Sequence, residues 1–265
     1  MPDHLKNFIK KLNLETDDNF VSKLQEINGK FITEYKIEIN YNNKKLTIIP
    51  IETEIYYYNE KQKDIFEDKM IHKNEDLQKN NFGRLYFHRI QSENKQYVNM
   101  KWGKKKKDPI DLKSCGVDVC LSDSEDYYLS ILIRSAFING TKEKDMFSGI
   151  NKICRKIINI FEPEECVELF FKNLEDIDNI IQERKDEINT DNIFYHRRIS
   201  GKSHSKKNIE ELNCLNLGKY LDKKDSKDEY EYLNYIINTK QTFYNVPDNI
   251  KRIKKDFEEQ RKTMK

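Results

Sequence analysis

The sequence predicts an α+β domain in which helices flank a mostly antiparallel sheet. Apolar residues recur at helical spacing at the start of the chain, alternate from about residue 31, and return to helical spacing after Ile138. This order of helices, strands and helices fits an α+β domain better than a doubly wound β–α–β fold. The 14 Phe and 15 Tyr residues supply the large apolar side chains that a folded core needs.

Two short amphipathic helices are expected within residues 1–28. The apolar positions at helical spacing are Leu5, Phe8, Ile9 and Leu12 in the first, and Phe20, Val21, Leu24 and Ile27 in the second. Asp17 and Asp18 suit the N-cap of the second helix. The main domain is then expected over residues 29–215, with an insertion at 91–115. A C-terminal segment with a charged helix fills 216–265.

Alternating sequence predicts the strands of this domain. Residues 31–39 and 46–58 flank an Asn-rich turn and are typical of a β-hairpin. Further strands are expected at 84–90, 116–121 and 128–138, and Asn139-Gly140 closes the last one. Ser148 is the expected N-cap of a helix with Cys154 on its apolar face, and a second helix is expected between Val167 and Ile181. Beyond residue 191 we expect a basic loop, then Tyr- and Leu-bearing segments up to Tyr244 and the charged helix from Asn249.

Charge restricts the partners that the chain can attract. The 48 basic and 46 acidic side chains nearly cancel, so any attraction to nucleic acid must be local. Two basic stretches could supply it: residues 101–107, and residues 193–209 with Arg197, Arg198 and Lys202. A solvated Lys-rich loop explains each stretch equally well when it is taken alone.

The remaining composition favours an intracellular protein without a metal centre. The five Cys have no repeated C-x-x-C spacing, so we expect reduced thiols rather than a disulfide framework or a zinc site. The His residues lack metal-ligand spacing with one another, and no cofactor motif occurs. No apolar run approaches membrane-spanning length and no signal peptide opens the chain. We therefore expect a cytoplasmic, nucleoid-associated or nuclear location.

Paired carboxylates on the strand 46–58 are the first candidates for chemistry. A period of two places Ile48, Glu52, Glu54 and Tyr56 on one face. Glu52 and Glu54 then lie about 7 Å apart, close enough for each to influence the protonation of the other. The alternative is an edge strand with two solvated Glu side chains, and the sequence of this strand alone favours that alternative.

Arg134 is the second candidate, because it interrupts the most apolar strand of the chain. A buried guanidinium is costly unless a carboxylate pairs with it, so we expect a Glu on a neighbouring strand as its partner. An Arg on an exposed strand face is the alternative.

Aromatic side chains could bind a nucleic-acid base. Tyr56, Tyr86 and His88 offer flat faces on strands, and stacking on such faces contributes ~1–3 kcal/mol per base. Within the insertion, Tyr97 and the single Trp102 precede four consecutive lysines, Lys104, Lys105, Lys106 and Lys107. An aromatic tip on a cationic loop suits wedging between bases and phosphate contact. A flexible Lys-rich loop is the alternative.

Taken together, these segments resemble the alkyladenine (3-methyladenine) DNA glycosylase family. Residues 51–56, I-E-T-E-I-Y, resemble the family's V-E-T-E-A-Y strand, and 82–88, F-G-R-L-Y-F-H, resemble its G-x-L-Y-V-Y strand. Residues 131–134, I-L-I-R, are similar to V-L-I-R, and 148–154 to the G-P-x-x-L-C helix start. Residues 116–121 are similar to the intervening strand, and the resemblance extends over about residues 30–200.

The resemblance implies a monofunctional DNA glycosylase that needs no metal or cofactor and acts on double-stranded DNA. It implies that Glu54 is the general base that activates water and that Arg134 supports it, which places the two side chains within salt-bridge reach. The resemblance also implies a base pocket lined by Tyr56, His72, Tyr86 and His88, with Ser122 near the position of a family Asn. The alternative function is a non-catalytic nucleic-acid-binding or interaction module on the same scaffold.

Overall fold

The computed structural model describes residues 3–12, 20–63, 71, 78–87, 116–140, 145–161, 181–183, 193–196 and 213–216. The helices within these ranges are α1 (Asp3–Leu12), α2 (Phe20–Glu34) and α3 (Ile150–Ile160), with a 3₁₀ turn at Glu60–Gln62. The strands are β1 (Tyr35–Tyr41), β2 (Lys44–Asn59), β3 (Leu85–Phe87), β4 (Val117–Cys120), β5 (Tyr127–Ile138), β6 (Met146–Ser148), β7 (Ile181–Glu183), β8 (Ile193–His196) and β9 (Asn213–Asn216).

All nine described strands belong to one sheet, and every recorded pairing between them is antiparallel. Six strands follow the order β3-β4-β5-β2-β1-β7, while β6 pairs with β5, and β9 joins β8 to β2. An antiparallel sheet combined with helices confirms the predicted α+β class. None of the described helices is sufficiently long and apolar to cross a membrane.

The first hairpin forms as predicted, but it begins later than the alternating pattern indicates. Asn42 and Asn43 form its turn with φ of 47° and 61°, a conformation that Asn tolerates and that two-residue hairpin loops require. Residues 31–34, predicted as strand, instead continue α2. Phe31 and Ile32 are buried there, and the Thr33 hydroxyl donates to the carbonyl of Gly29. Burial against the sheet therefore outweighs the strand preference of these residues.

The main core lies between one face of the sheet and the helices. Helices α1 and α2 contribute Leu5, Ile9, Leu24, Ile27 and Phe31, and α3 contributes Ile153, Cys154 and Ile157. Facing side chains of the central strands complete it, among them Ile48, Ile55, Tyr57, Ile131 and Ile133. Since the longest strands, β2 and β5, pair along most of their length, they form the axis on which the other strands assemble.

Later elements correct four predictions. Helix α3 begins at Ile150 with Gly149, at φ 105°, as its N-cap, so Ser148 is not the cap. Ile181 lies in a strand rather than a helix, because β7 pairs with β1. The basic loop expected after residue 191 contains a strand, since β8 lies there and pairs with β9. Cys154 is disulfide-bonded, whereas Cys120 is a reduced, buried thiol as expected.

Several predicted segments lie outside the described residues. They are the helix positions 167–177, the insertion 91–115 and the C-terminal segment 217–265.

Candidate functional site

Two β-bulges face each other in the middle of the β2–β5 pair. The two strands pair residue by residue from Ile48↔Ile138 to Pro50↔Ala136. The next two pairs are Glu52↔Ser135, which skips Ile51, and Thr53↔Ile133, which skips Arg134. Ile51 is therefore an extra residue on β2, and Arg134 is an extra residue on β5. Bulges re-aim side chains and occur often beside active sites.

At the bulges the alternation of side chains shifts by one residue, so residues of the same parity point to opposite faces of the sheet on the two sides of each bulge. Before the bulge on β2, Ile48 points into the main core, and after it Ile55 and Tyr57 do. On β5, Ile138 and Ala136 point into the same core on one side of Arg134, and Ile133 and Ile131 on the other. The predicted grouping of Ile48 with Glu52, Glu54 and Tyr56 on one face is consequently wrong, because a period of two does not hold across Ile51.

Arg134 forms the centre of a buried ion cluster. Its Nη1 donates to Oε2 of Glu54, and its Nε lies 3.8 Å from Oε1 of Glu52. The predicted salt bridge between Glu54 and Arg134 is thus confirmed. All three side chains are buried, with Glu52 fully enclosed and Arg134 5% exposed. Two carboxylates against one guanidinium leave the cluster with one formal negative charge when all three groups are ionised.

Neighbouring hydroxyl groups fix both carboxylates. The Tyr56 hydroxyl donates to Oε1 of Glu54 over 2.7 Å, and the Ser135 hydroxyl donates to Oε2 of Glu52 over 2.9 Å. Each carboxylate has about four lone-pair positions, so Glu54 can accept a further hydrogen bond besides those from Arg134 and Tyr56. The arrangement holds Glu54 in one orientation.

We call the face of the sheet opposite the main core the polar face. A row of paired residues extends across this face from Glu54. Glu54 pairs with Leu132, Leu132 with Asp118, and Asp118 with Tyr86. Directly paired residues point to the same side of a sheet. Tyr86 is buried on this face, but three strand spacings, roughly 14 Å, separate its backbone from that of Glu54. Tyr86 therefore belongs to the same face as Glu54 but does not adjoin it.

Ser122 lies away from this row. It is fully buried in the connection between β4 and β5, where its hydroxyl donates to the carbonyl of Tyr127 over 2.6 Å. Because a hydroxyl has a single proton, the turn uses the donor that a pocket would need. We assign Ser122 to this turn rather than to the base pocket.

Other predicted site residues lie outside the described residues. They are His72 and His88 of the base pocket, and Tyr97, Trp102, Lys104, Lys105, Lys106, Lys107, Arg197, Arg198 and Lys202 of the DNA-binding set.

The sequence reasoning missed β9, which borders the ion cluster. Leu215, Cys214 and Asn213 pair with Glu52, Thr53 and Glu54 along the edge of β2 that β5 leaves open. Asn213 pairs in turn with His196, the last residue of β8. No local signal could identify these strands, because each has only four residues and β9 pairs with β2 across more than 150 positions.

No family model matches the chain, and no curated protein matches it. Among the described residues, no group of three or more His, Cys, Asp and Glu side chains is arranged to hold a metal ion.

Proposed function

We propose that the chain is a DNA-base glycosylase-like enzyme that hydrolyses the N-glycosidic bond of a modified base flipped out of duplex DNA. The observation that carries the proposal is the buried Glu54–Arg134 ion pair, which lies at paired bulges on the polar face of the sheet. The motif resemblance of residues 51–56 and 131–134 agrees with it, because it assigns the same two residues to catalysis.

In the proposed reaction Glu54 accepts a proton from a water molecule, and the water oxygen forms a bond to the sugar C1′. The N-glycosidic bond breaks and its electron pair leaves with the base, which takes up a proton from solvent unless it already carries a positive charge. Arg134 and Tyr56 hold the Glu54 carboxylate in place. General base catalysis of this kind contributes ~10²–10⁴-fold to a rate.

DNA would reach this site along the edge that β8 and β9 form. His196 and Asn213 pair at the level of Glu54, and the basic stretch with Arg197, Arg198 and Lys202 starts directly after His196. The proposal gives these three cationic residues the role of contacting the phosphates on either side of a flipped nucleotide. Tyr97, Trp102 and the lysines 104–107 remain the proposed wedge and second phosphate contact.

The test compares two conservative variants of the ion cluster. Glu54→Gln and Glu52→Gln each remove one carboxylate and leave Arg134 with one carboxylate partner, so both variants should fold. We expect Glu54→Gln to lose at least ~100-fold in base release while keeping its affinity for duplex DNA. Glu52→Gln should retain most of the activity, because its carboxylate supports Arg134 rather than water.

Base release is measured by alkali cleavage of duplexes that carry alkylated or deaminated bases. Equal activity of Glu54→Gln and the parent would exclude Glu54 as the base. Equal losses in the two variants would show that the cluster acts through structure alone.

A second candidate function is a nucleic-acid-binding module without catalysis. The observation that favours it is the enclosure of Glu54, which is 3% exposed and already accepts hydrogen bonds from Arg134 and Tyr56, as a purely structural carboxylate would. In this case duplex DNA binds, no base is released from any substrate, and neither Glu variant changes the affinity.

A further inference from the structure

The Arg134 guanidinium contacts its two carboxylate partners differently. Its Nη1 donates a hydrogen bond to Glu54, whereas its Nε lies 3.8 Å from Oε1 of Glu52, which is longer than a hydrogen bond. The Tyr56 hydroxyl donates a second hydrogen bond to Glu54. A cation and a hydroxyl that both donate to one carboxylate favour its ionised form. These contacts therefore place the negative charge of the cluster on Glu54.

The surroundings of Glu52 favour its neutral form. Glu52 is fully enclosed, and burial disfavours the charged form of a carboxyl group. Directly paired residues form a row through Glu52 from β8 to β6, and its other members carry no ionisable group: Phe194, Leu215, Ser135 and Ser148. The row through Glu54, by contrast, contains His196 on β8 and Asp118 on β4.

Within the cluster, two carboxyl groups face one guanidinium. Like charges held together in a buried site resist ionising at the same time, so one of the two groups keeps its proton to a higher pH than an isolated Glu does. Since Arg134 and Tyr56 hold the charge on Glu54, the proton falls to Glu52. A protonated Glu52 still accepts the hydrogen bond from Ser135 at Oε2, and it gains a proton of its own to donate.

We propose that Glu52 holds a proton at neutral pH and is a positioning residue for Glu54. As a neutral acid it helps to fix Arg134 without drawing on its charge, so the guanidinium keeps Glu54 ionised and in one orientation. The positioning role rests on the proposed glycosylase function, in which Glu54 is the base. The proton on Glu52 is independent of that function.

The first experiment replaces each Glu by its neutral isostere. Gln has the shape of a protonated Glu, so the urea midpoint of Glu52→Gln at pH 7 should equal or exceed that of the parent. Glu54→Gln is the matched control, because it removes the hydrogen-bonded anion of the same guanidinium, and its midpoint should fall. The proposal is overturned if Glu52→Gln fails to fold or if its midpoint falls as far as that of the control.

The second experiment follows stability with pH. An unfolded chain ionises its Glu residues above about pH 4.3, so a folded chain that keeps a proton on Glu52 releases it on unfolding. Stability due to this group then falls as the pH rises. Between pH 5 and 7 the unfolding equilibrium constant of the parent should rise about tenfold per pH unit relative to that of Glu52→Gln. A ratio that stays constant, or that falls, would show that Glu52 is ionised.

Infrared spectroscopy detects the proton directly. The carbonyl band of a buried carboxylic acid should be present in the parent at pH 7 and absent from Glu52→Gln. Asp118→Asn is the control, because it replaces another buried carboxyl group of the polar face, and it should keep the band. A parent without the band, or a band that only Asp118→Asn removes, would refute the assignment of the proton to Glu52.

Base release tests the positioning role. Glu52→Ala removes the group that helps to fix Arg134 and should lose at least about tenfold, while Glu52→Gln restores the shape and most of the activity. Equal base release by the two variants would exclude the positioning role. A proton on Glu52 with no base release from any duplex would keep the neutral acid and reject the glycosylase. Base release that depends on Glu54 while Glu52 is ionised would keep the glycosylase and reject this proposal.

Discussion

The two faces of the central sheet differ sharply although they share the same strands. One row of paired residues crosses the sheet as Leu85, Val119, Ile131 and Ile55, and the adjacent row crosses it as Tyr86, Asp118, Leu132 and Glu54. The first row belongs entirely to the main core under α1 and α2. The second contains two buried carboxylates. A shift of one residue along each strand thus separates an apolar interior from a charged one.

Stability does not explain the residue composition of both faces. Apolar burial contributes ~25 cal/mol per Å², so the first row stabilises the fold directly. Buried ion pairs seldom do, since desolvation offsets the attraction, and apolar residues of equal volume are often as stable or more so. Arg134, Glu52 and Glu54 therefore fit a functional role better than a role in holding the sheet together.

The largest expected effect comes from removing the only cation of the cluster. Arg134→Met leaves Glu52 and Glu54 buried without their counter-charge, and we expect it to reduce the free energy of unfolding by ~3–5 kcal/mol. Adding Glu52→Gln and Glu54→Gln to this variant should restore more than half of the loss, because no buried charge then remains unpaired. Urea denaturation measures both. A loss below ~1 kcal/mol for the single variant would show that the carboxylates are not paired as described.

A smaller effect is expected from truncation within the apolar row. Ile131→Ala should reduce the free energy of unfolding by ~3 kcal/mol, because it leaves a cavity in the continuous core. Leu132→Ala, its neighbour on the polar face, should cost ~2 kcal/mol, since fewer apolar side chains surround it. Urea denaturation again provides the measurement. If the Leu132 variant proves the less stable, the two faces do not differ in packing as the structure indicates.

The smallest effect concerns the helix that covers the apolar face. Burial raises the pKa of Asp123, but the hydrogen bond from Tyr127 and the charges of Lys10 and Lys6 outweigh burial and lower it. Lys10 lies 3.1 Å and Lys6 3.7 Å from its carboxylate, so Asp123 attaches α1 to the end of the sheet. Asp123→Asn should cost ~1 kcal/mol at neutral pH.

The pH dependence of this contribution follows from the direction of the shift. A lowered pKa means that Asp123 stabilises the fold fully above its unfolded value of about 3.9 and loses this contribution as the pH falls through the folded value. The difference between parent and Asp123→Asn should therefore be constant from pH 5 to 8 and shrink toward pH 3. Thermal unfolding at a series of pH values measures it, and a difference that grows on acidification would contradict the assignment.

Sequence reasoning could predict the features that depend on neighbouring residues. The turn at Asn42 and Asn43 follows from residues that tolerate positive φ, and β5 follows from its apolar run. A carboxylate partner for Arg134 was predictable because a charge in an apolar strand needs one, and the motif resemblance implied that this partner is Glu54. The helical state of residues 31–34 was not, because packing against the sheet decided it.

Features that depend on distant pairing could not be predicted. Nothing around Arg134 identifies it as a bulge, and nothing around Ile51 does except Pro50, which lacks a ladder donor. Strand β9 lies beside Glu54 only after the sheet has assembled. The sequence thus indicated which charged residues would be buried, whereas the pairing of distant strands determined the face of the sheet on which they lie.

The paired bulges also determine how this chain can change its length. Deleting Ile51 alone would move every side chain on one side of this bulge in β2 to the opposite face of the sheet. Either Glu54 would then point into the main core, or Ile48 would point away from it. A deletion that also removed Arg134 would realign the two strands, but at the loss of the guanidinium. Insertions and deletions are therefore tolerated in the connections of this sheet far more readily than at these two positions, where a single residue sets the orientation of a whole strand.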